Sequence, residues 1–303
     1  MKDFLSIRDH SSDELRQILA LGAEMKANPQ KFSKALEGKA LAMLFEKPSL
    51  RTRVTFDVGI QQLGGYSLYL SPSEVSLGKR ESIADVAHNL ERMVQGIMIR
   101  TFGHTIVEQM AEHSRVPIIN GLTDFSHPCQ AMADFLTIQE VKGKVSGVKL
   151  AFIGDGNNVA NSLMFAAAKL GAHISVATPT GYEPKPEVMA WMKQHAPATG
   201  CEYFVTHDPV AAVKGADVLY TDVWASMGQE SEAEARKKIF LPYQVNERLV
   251  AHAKSDYTFM HCLPAHRGEE VSAGVIDSPH AVVFQEAENR LHVQKAIMVL
   301  LMK

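Results

Sequence analysis

Short apolar or β-branched runs alternate with longer stretches of helical period from one end of the chain to the other. Leu41–Phe45, Tyr66–Leu70, Gly96–Phe102 and Pro117–Gly121 read as strands. Between them Thr52–Leu63 reads as a helix, with Val54, Val58 and Leu63 near one face and Gly64 and Gly65 as its stop. Ser82–Met93, Ile106–His113 and Cys129–Glu140 carry the same helical period. The stretch from Lys142 to Gly147 then breaks the pattern with two glycines and few core residues, which places a domain boundary near residues 143–147. Beyond it the logic repeats. Leu150–Ile153, Ile174–Ala177, Tyr203–Val205, Val218–Thr221, Thr258–His261 and Ala281–Phe284 read as strands, and Asn158–Leu170 and Pro186–His195 as helices. Alternation of this kind implies parallel sheets covered on both faces. The fold expected is therefore α/β, with two similar-sized domains, each a mostly parallel sheet flanked by helices. They would span residues 1–143 and 144–287, with a closing helix over 288–303 packing back on the first.

The unusual polar segments nearly all follow expected strands: 47–53, 100–104, 124–130, 155–158, 222–228, 261–267 and 286–290. Ligands of open α/β sheets bind outside the carboxyl ends of the strands. Such consistent placement favours an active site in a cleft between the two domains over a set of unrelated solvated loops.

Composition narrows the class of protein. The length of 303 residues suits two domains at roughly 150 residues each. Hydrophobic residues are 46% and charged residues 21%, the balance of a globular protein with a core. Lys and Arg number 31 against 34 Asp and Glu, a net charge of −3, so the strongly basic footprint of a nucleic-acid binder is missing. No apolar run approaches the ~18–20 residues of a membrane span, and Asp3, Arg8 and Asp9 interrupt the start where a signal peptide would be apolar. Cys129, Cys201 and Cys262 are isolated, odd in number and outside any CxxC, which suits a reducing, cytoplasmic setting.

Six sites carry candidate chemistry. In Phe45-Glu-Lys-Pro-Ser-Leu-Arg-Thr-Arg53 a strand ends, Ser49 can cap a helix, and Arg51, Thr52 and Arg53 follow. Free helix N–H groups, hydroxyls and guanidiniums converging on one point suit phosphate, although a well-capped helix with exposed arginines uses the same residues. Arg100 after its strand can add positive charge to the same anion or form a surface ion pair. His127, with Pro128 at the first turn of a helix, can donate to a developing oxyanion beside Gln130, or simply cap. Ile153-Gly-Asp-Gly-Asn-Asn158 tests a dinucleotide site, but Val159 stands where the third glycine belongs and the next strand ends at Thr178 without an acidic residue. Asn157 and Asn158 at that helix start can instead recognise an amino-acid carboxylate. Asp222 opens a small-residue turn fit for a lid hinge or an ordinary loop. His261-Cys-Leu-Pro-Ala-His-Arg-Gly-Glu-Glu270 holds potential metal ligands at a spacing that matches no structural zinc pattern.

Together, Ser49-x-Arg-Thr-Arg53, His127-Pro-x-Gln130, Asp222-Val-Trp-x-Ser-Met-Gly228 and His261-Cys-Leu-Pro264 resemble, in order and approximate separation, the motifs of the aspartate/ornithine carbamoyltransferase family. The resemblance covers essentially the whole chain. Its first two motifs are shared across the family. The last two, with Gly154-Asp-Gly-Asn-Asn158, resemble the ornithine branch, because the aspartate enzymes lack the Ser-Met-Gly loop and the cysteine after the late histidine.

The resemblance implies transfer of a carbamoyl group from carbamoyl phosphate to the δ-amine of L-ornithine, giving L-citrulline and phosphate, without metal or organic cofactor. It implies that Ser49, Leu50, Arg51, Thr52, Arg100, His127, Pro128, Cys129 and Gln130 bind carbamoyl phosphate, and that Arg290 reaches the carbamoyl group. Asn158, Asp222, Ser226 and Met227 would hold ornithine, and Cys262 and Leu263 would sit at the junction of the two ligands. Arg51, Thr52, Arg100, His127 and Cys262 would carry the chemistry. It further implies a homotrimer, or an assembly of trimers, with sites near subunit interfaces. Two positions depart from the family pattern: Leu50 where many relatives have Thr, and Ser76 where many have Gln. Rival readings are a sister transferase acting on putrescine, N-acetylornithine or aspartate, an NAD-linked dehydrogenase, and a non-catalytic binding protein of the same fold.

Overall fold

The computed structural model describes every residue except Lys79, Met227 and Gln229, and the backbone alone of Glu230. Among the described residues, nine strands run over Ala40–Phe45 (β1), Tyr66–Leu70 (β2), Gly96–Arg100 (β3), Ile118–Leu122 (β4), Lys149–Ile153 (β5), His173–Ala177 (β6), Tyr203–Thr206 (β7), Val218–Thr221 (β8) and Thr258–His261 (β9). The longer helices are Ser12–Ala27 (α1), Leu50–Gln62 (α2), Ile83–Leu90 (α3), His104–His113 (α4), Pro128–Lys142 (α5), Asn158–Leu170 (α6), Pro186–His195 (α7), Ala233–Phe240 (α8) and Val283–Met302 (α9). None of the described helices is long and apolar enough to cross a membrane.

The chain divides into two compact units, one of Met1–Leu136 with Glu288–Lys303 and the other of Thr137–Ala287. The first division falls inside α5, ahead of the glycine-bearing stretch where the sequence suggests it. The second falls inside α9, so the closing segment clusters with the first unit.

The first unit holds a four-stranded parallel sheet in the order β2-β1-β3-β4. Strands β1 and β3 are buried along their whole length, as expected of parallel strands covered on both faces. The second unit holds a five-stranded parallel sheet in the order β7-β6-β5-β8-β9. In each sheet the strand order reverses once, between β1 and β3 in one and between β5 and β8 in the other. Loops leaving such a switch point diverge and open a crevice at the strand ends. Those loops carry Ser49–Arg53 and Arg100 in the first unit, and Asn157, Asn158 and Asp222 in the second.

Two sequence expectations are corrected. Ala281–Phe284 is not a strand: Ala281 makes one isolated bridge to Phe259, and the chain turns helical at Val283. So short an apolar run does not distinguish a strand from the buried start of a helix. In α2 the helical period is right but the buried face is the other one. Thr52, Thr55, Phe56, Gly59 and Ile60 face inward, while Leu50, Val54 and Val58 are exposed. Gly59 lets α2 approach α9 closely, since a Cβ there would meet the Met298 side chain at 3.1 Å. Threonine hydroxyls can enter that face because the helix and the neighbouring site satisfy them; Thr55, for example, donates to the Arg51 carbonyl at 2.7 Å.

Candidate active site

In the first unit, β1 delivers the chain to Ser49, whose extended backbone makes it the N-cap of α2. Its hydroxyl oxygen accepts the Thr52 N–H at 3.3 Å, and the hydroxyl donates to Thr52 Oγ1 at 3.0 Å. Thr52 is fully buried and its Oγ1 also accepts from the Arg290 guanidinium at 2.8 Å. Phe45 lies in register with Arg100 at the end of β3, and the Glu46 N–H donates to the Arg100 carbonyl at 2.8 Å. Thr101 donates its hydroxyl to Glu46, bracing the two strand-end loops. Lys47, buried among the same loops, binds Asp124 at 2.5 Å and lies over the Phe102 ring.

His127 is buried immediately before α5. Burial, with the charges of Arg290, Arg100 and Arg51 around it, holds its pKa well below the ordinary histidine value. A buried, neutral imidazole under the charge of three guanidiniums is a strongly electropositive donor site just ahead of a helix N-terminus. Two of the implied phosphate residues, Leu50 and Cys129, face elsewhere by their side chains, and a third, Gln130, spends its amide donor within its own helix. Leu50 is 75% exposed. The Cys129 thiol is buried, donates to the Asn120 carbonyl at 3.5 Å and is pushed up to about 12 by burial. Gln130 donates to Asp134 at 2.8 Å. Any part Leu50 and Cys129 play is therefore a backbone one.

In the second unit, Asp222 follows β8 and is buried. Its Oδ1 accepts the Val223 N–H at 2.8 Å and the Cys262 thiol at 3.1 Å, and its Oδ2 accepts from Asn157 Nδ2 at 2.9 Å. Asn157 is the N-cap of α6, its Oδ1 accepting the N–H groups of Val159 and Ala160. Asn158 opens that helix half-buried, and Ser226 is half-buried beyond Asp222. Met227 lies outside the described residues.

Cys262 and Leu263 leave β9 after His261, which is fully buried. His261 Nε2 meets Glu270 at 3.2 Å, its Nδ1 accepts the Leu263 N–H at 2.8 Å, and its own N–H donates to Glu286 at 2.9 Å. Leu263, at φ +59°, precedes a cis proline. Among the described residues, Asp222, His261 and Cys262, and separately His266, Glu269 and Glu270, lie close enough to hold a metal ion. In the first group both histidine nitrogens are already engaged in these hydrogen bonds.

Arg236 of α8 ties the stem of the 222–228 loop to the rest of the unit. Its Nε donates to the Trp224 carbonyl at 2.5 Å, another nitrogen binds Asp155, and the guanidinium lies over the Tyr182 and Phe240 rings. Burial raises the Asp155 pKa, opposed by Arg236.

The glycine-rich turn is closed to a dinucleotide. A Cβ on Gly156 would sit 2.3 Å from the Pro184 nitrogen, and Gly156 donates its N–H to the Tyr182 carbonyl at 2.8 Å. The glycine that in a dinucleotide fold admits pyrophosphate here admits the chain's own 182–184 segment. Asn157, Arg236, Glu270, Glu286 and the Lys47–Asp124 pair are supporting residues that motif reading does not single out as a set. The signals for them are the two asparagines at a helix start, the place of Glu270 among the potential metal ligands, and the strand-end polar segments that hold Lys47, Asp124 and Glu286; Arg236 has none.

Comparison with known proteins agrees with this geometry. Residues 2–140 match the carbamoyl-phosphate binding domain of the aspartate/ornithine carbamoyltransferases, and residues 146–301 match their Asp/Orn binding domain. An ornithine carbamoyltransferase of Thermococcus kodakarensis is 59% identical over 303 residues, covering 99% of this chain and 96% of that one. An anabolic ornithine carbamoyltransferase of Pyrococcus furiosus is 57% identical over 304 residues, covering 99% and 96%. The solved ornithine carbamoyltransferase of Pyrococcus furiosus superposes with a TM-score of 0.97 at 55% identity, covering 99% of this chain and 97% of that one. The chain belongs to the aspartate/ornithine carbamoyltransferase family.

Proposed function

We propose that the chain transfers the carbamoyl group of carbamoyl phosphate to the δ-amine of L-ornithine, giving L-citrulline and phosphate in arginine biosynthesis. The observation that carries this reading is the buried site at the capped start of α2, where Arg290 donates to Thr52 and the charges of Arg290, Arg100 and Arg51 act on the buried His127, a donor site for a phosphorylated carbonyl compound. The buried Asp222 supplies the complementary chemistry, a carboxylate for an ammonium group.

The nucleophile is a neutral amine whose free pKa is about 10.4, like that of lysine, so at pH 7.4 about 4 kcal/mol separates it from its dominant form. Ser49, the Leu50 backbone, Arg51 and Thr52 hold the phosphate. Arg100, His127 and Arg290, with the backbone of Pro128 and Cys129 and with Gln130, face the carbamoyl group. As the amine attacks, the carbonyl oxygen gains negative charge, and Thr52, Arg100 and His127 donate to it. The carbon–oxygen bond to phosphate then breaks, Arg51 stabilises the departing phosphate, and the amine's proton leaves with phosphate or water. Asn158, Asp222, Ser226 and Met227 hold ornithine, and Cys262 and Leu263 lie where the two substrates meet.

The exposed Leu50, Val54 and Val58 form an apolar stripe on α2, beside an edge strand with exposed Tyr66 and Leu68. A patch of that kind supports self-association, and we take the assembly to be the homotrimer, or assembly of trimers, of the family. Separate reduced thiols and these substrates support a cytoplasmic setting.

The test is colorimetric quantitation of ureido product from carbamoyl phosphate with ornithine, putrescine, N-acetylornithine and aspartate in parallel. Strong preference for ornithine is expected. Preference for another amine would overturn the reading of the second unit, and no turnover by folded protein would overturn the catalytic reading.

A further inference from the structure

We propose that Asn157 is a positioning residue that aims the Asp222 carboxylate at the ornithine ammonium; this rests on the function proposed above. A carboxamide has one accepting end and one donating end. The start of α6 claims the accepting end, because Oδ1 takes the N–H groups of Val159 at 3.0 Å and Ala160 at 3.2 Å. The donating end is thereby turned outward, and it meets Asp222 Oδ2 at 2.9 Å. The helix cap thus fixes which way the amide faces, and the amide fixes the carboxylate.

Donors to Asp222 come from three strand ends. Asn157 follows β5, Val223 follows β8 and Cys262 follows β9. The carboxylate plane is therefore held from three directions. Each carboxylate oxygen accepts about two hydrogen bonds. Oδ1 has both, from Val223 and Cys262, while Oδ2 has one, from Asn157. The remaining acceptor capacity lies on Oδ2, beside the Asn157 amide, and that is where the ammonium binds. The other titratable or charged groups facing this carboxylate among the described residues are the Cys262 thiol, His261, whose ring lies within 4.8 Å of it, Asp155 and, through Asp155, Arg236.

The discriminating variant is Asn157→Asp. Aspartate caps a helix as well as asparagine does, so the cap survives, but the donor facing Asp222 becomes a second carboxylate. Two facing carboxylates retain one proton between them, and that proton restores a donor when the pH is low. The expected result is a fall of about tenfold or more in kcat/KM for ornithine at pH 8, with KM for carbamoyl phosphate unchanged. The ratio of variant to wild-type kcat/KM should then climb as the pH is lowered from 8.5 to 6.0. A pH-independent ratio would overturn the assignment, because a merely structural defect has no reason to be rescued by acid. Should Asn157→Asp fail to fold by circular dichroism, Asn157→Ser decides: it keeps a capping oxygen and removes the amide donor. A raised KM for ornithine alone supports the role, and unchanged constants overturn it. Wild-type enzyme is assayed alongside. Its failure to make citrulline would overturn the functional reading and this inference together, whereas wild-type turnover with a flat ratio would overturn this inference alone.

Discussion

His127 is the neutral donor of the anion half-site. Its imidazole is buried, and the charges of Arg290, Arg100 and Arg51 oppose protonation, so it stays neutral well below the usual histidine range. It can therefore donate an N–H to a developing oxyanion at any pH at which the enzyme works, and it cannot act as a general acid near pH 6.5. Replacing it by asparagine should lower kcat by about a hundredfold to a thousandfold, the usual cost of removing one oxyanion donor. The shape of the pH–rate profile from 6 to 8.5 should not change, because the rising limb belongs to the substrate amine. A profile that flattens in His127→Asn would assign the limb to the histidine instead. Arg51→Ala should lower turnover by at least about a hundredfold while leaving the protein folded. Near-normal turnover in that variant, checked by circular dichroism and initial rates, would remove Arg51 from the phosphate site.

At the scale of elements, the sequence is most readable where one residue type has one structural job. Ser49 announces the start of α2, and Pro128 that of α5. The alternation of strand and helix is legible because parallel strands must be buried on both faces. It is less readable where two jobs compete for the same pattern. Val54 and Val58 mark the right period but the exposed face of α2, since the inward face is built from Thr52, Thr55 and Gly59, which satisfy a site and a helix contact. The partners of Asp222 were legible only in part. Asn157 and Cys262 stand 65 and 40 residues away along the chain, and only the sheet order brings their strand ends together. Gly156 illustrates the same limit. Its place in Gly-Asp-Gly suggests room for a ligand, and the structure fills that room with Tyr182–Pro184. A methyl group there would press on backbone rather than on a flexible side chain. Gly156→Ala should therefore destabilise the second unit by about 2–4 kcal/mol. A fall in the urea midpoint seen by tryptophan fluorescence measures this, and an unchanged midpoint would mean that the 182–184 segment yields easily.

For the molecule as a whole, the buried histidines distribute acid sensitivity unevenly. His104, His127 and His292 all have depressed pKa values, His104 at about 4, each through burial as the largest cause. All three belong to the first unit. When a folded-state pKa lies below the unfolded value, the unfolded chain takes up a proton that the folded chain refuses. Stability is then full above about pH 6.5 and falls as the pH drops toward the folded pKa. For His104 alone, the loss between pH 6.5 and 5 is about 2 kcal/mol. In the second unit, Glu270 and Asp217 have lowered values, and their loss begins only as the pH falls through the carboxylate range. The first unit should therefore weaken first on mild acidification. Trp191 and Trp224, the two tryptophans of the chain, both lie in the second unit, so fluorescence reports that unit while far-ultraviolet circular dichroism reports both. Urea unfolding at pH 7.5 and at pH 5 should show the separation. At pH 5 the circular dichroism transition should begin at lower urea than the fluorescence transition, and the gap should narrow at pH 7.5. In His104→Asn, which removes one refused proton, the gap at pH 5 should shrink. Coincident transitions at pH 5, or a gap indifferent to that substitution, would mean that the first unit does not carry the acid sensitivity its histidines imply.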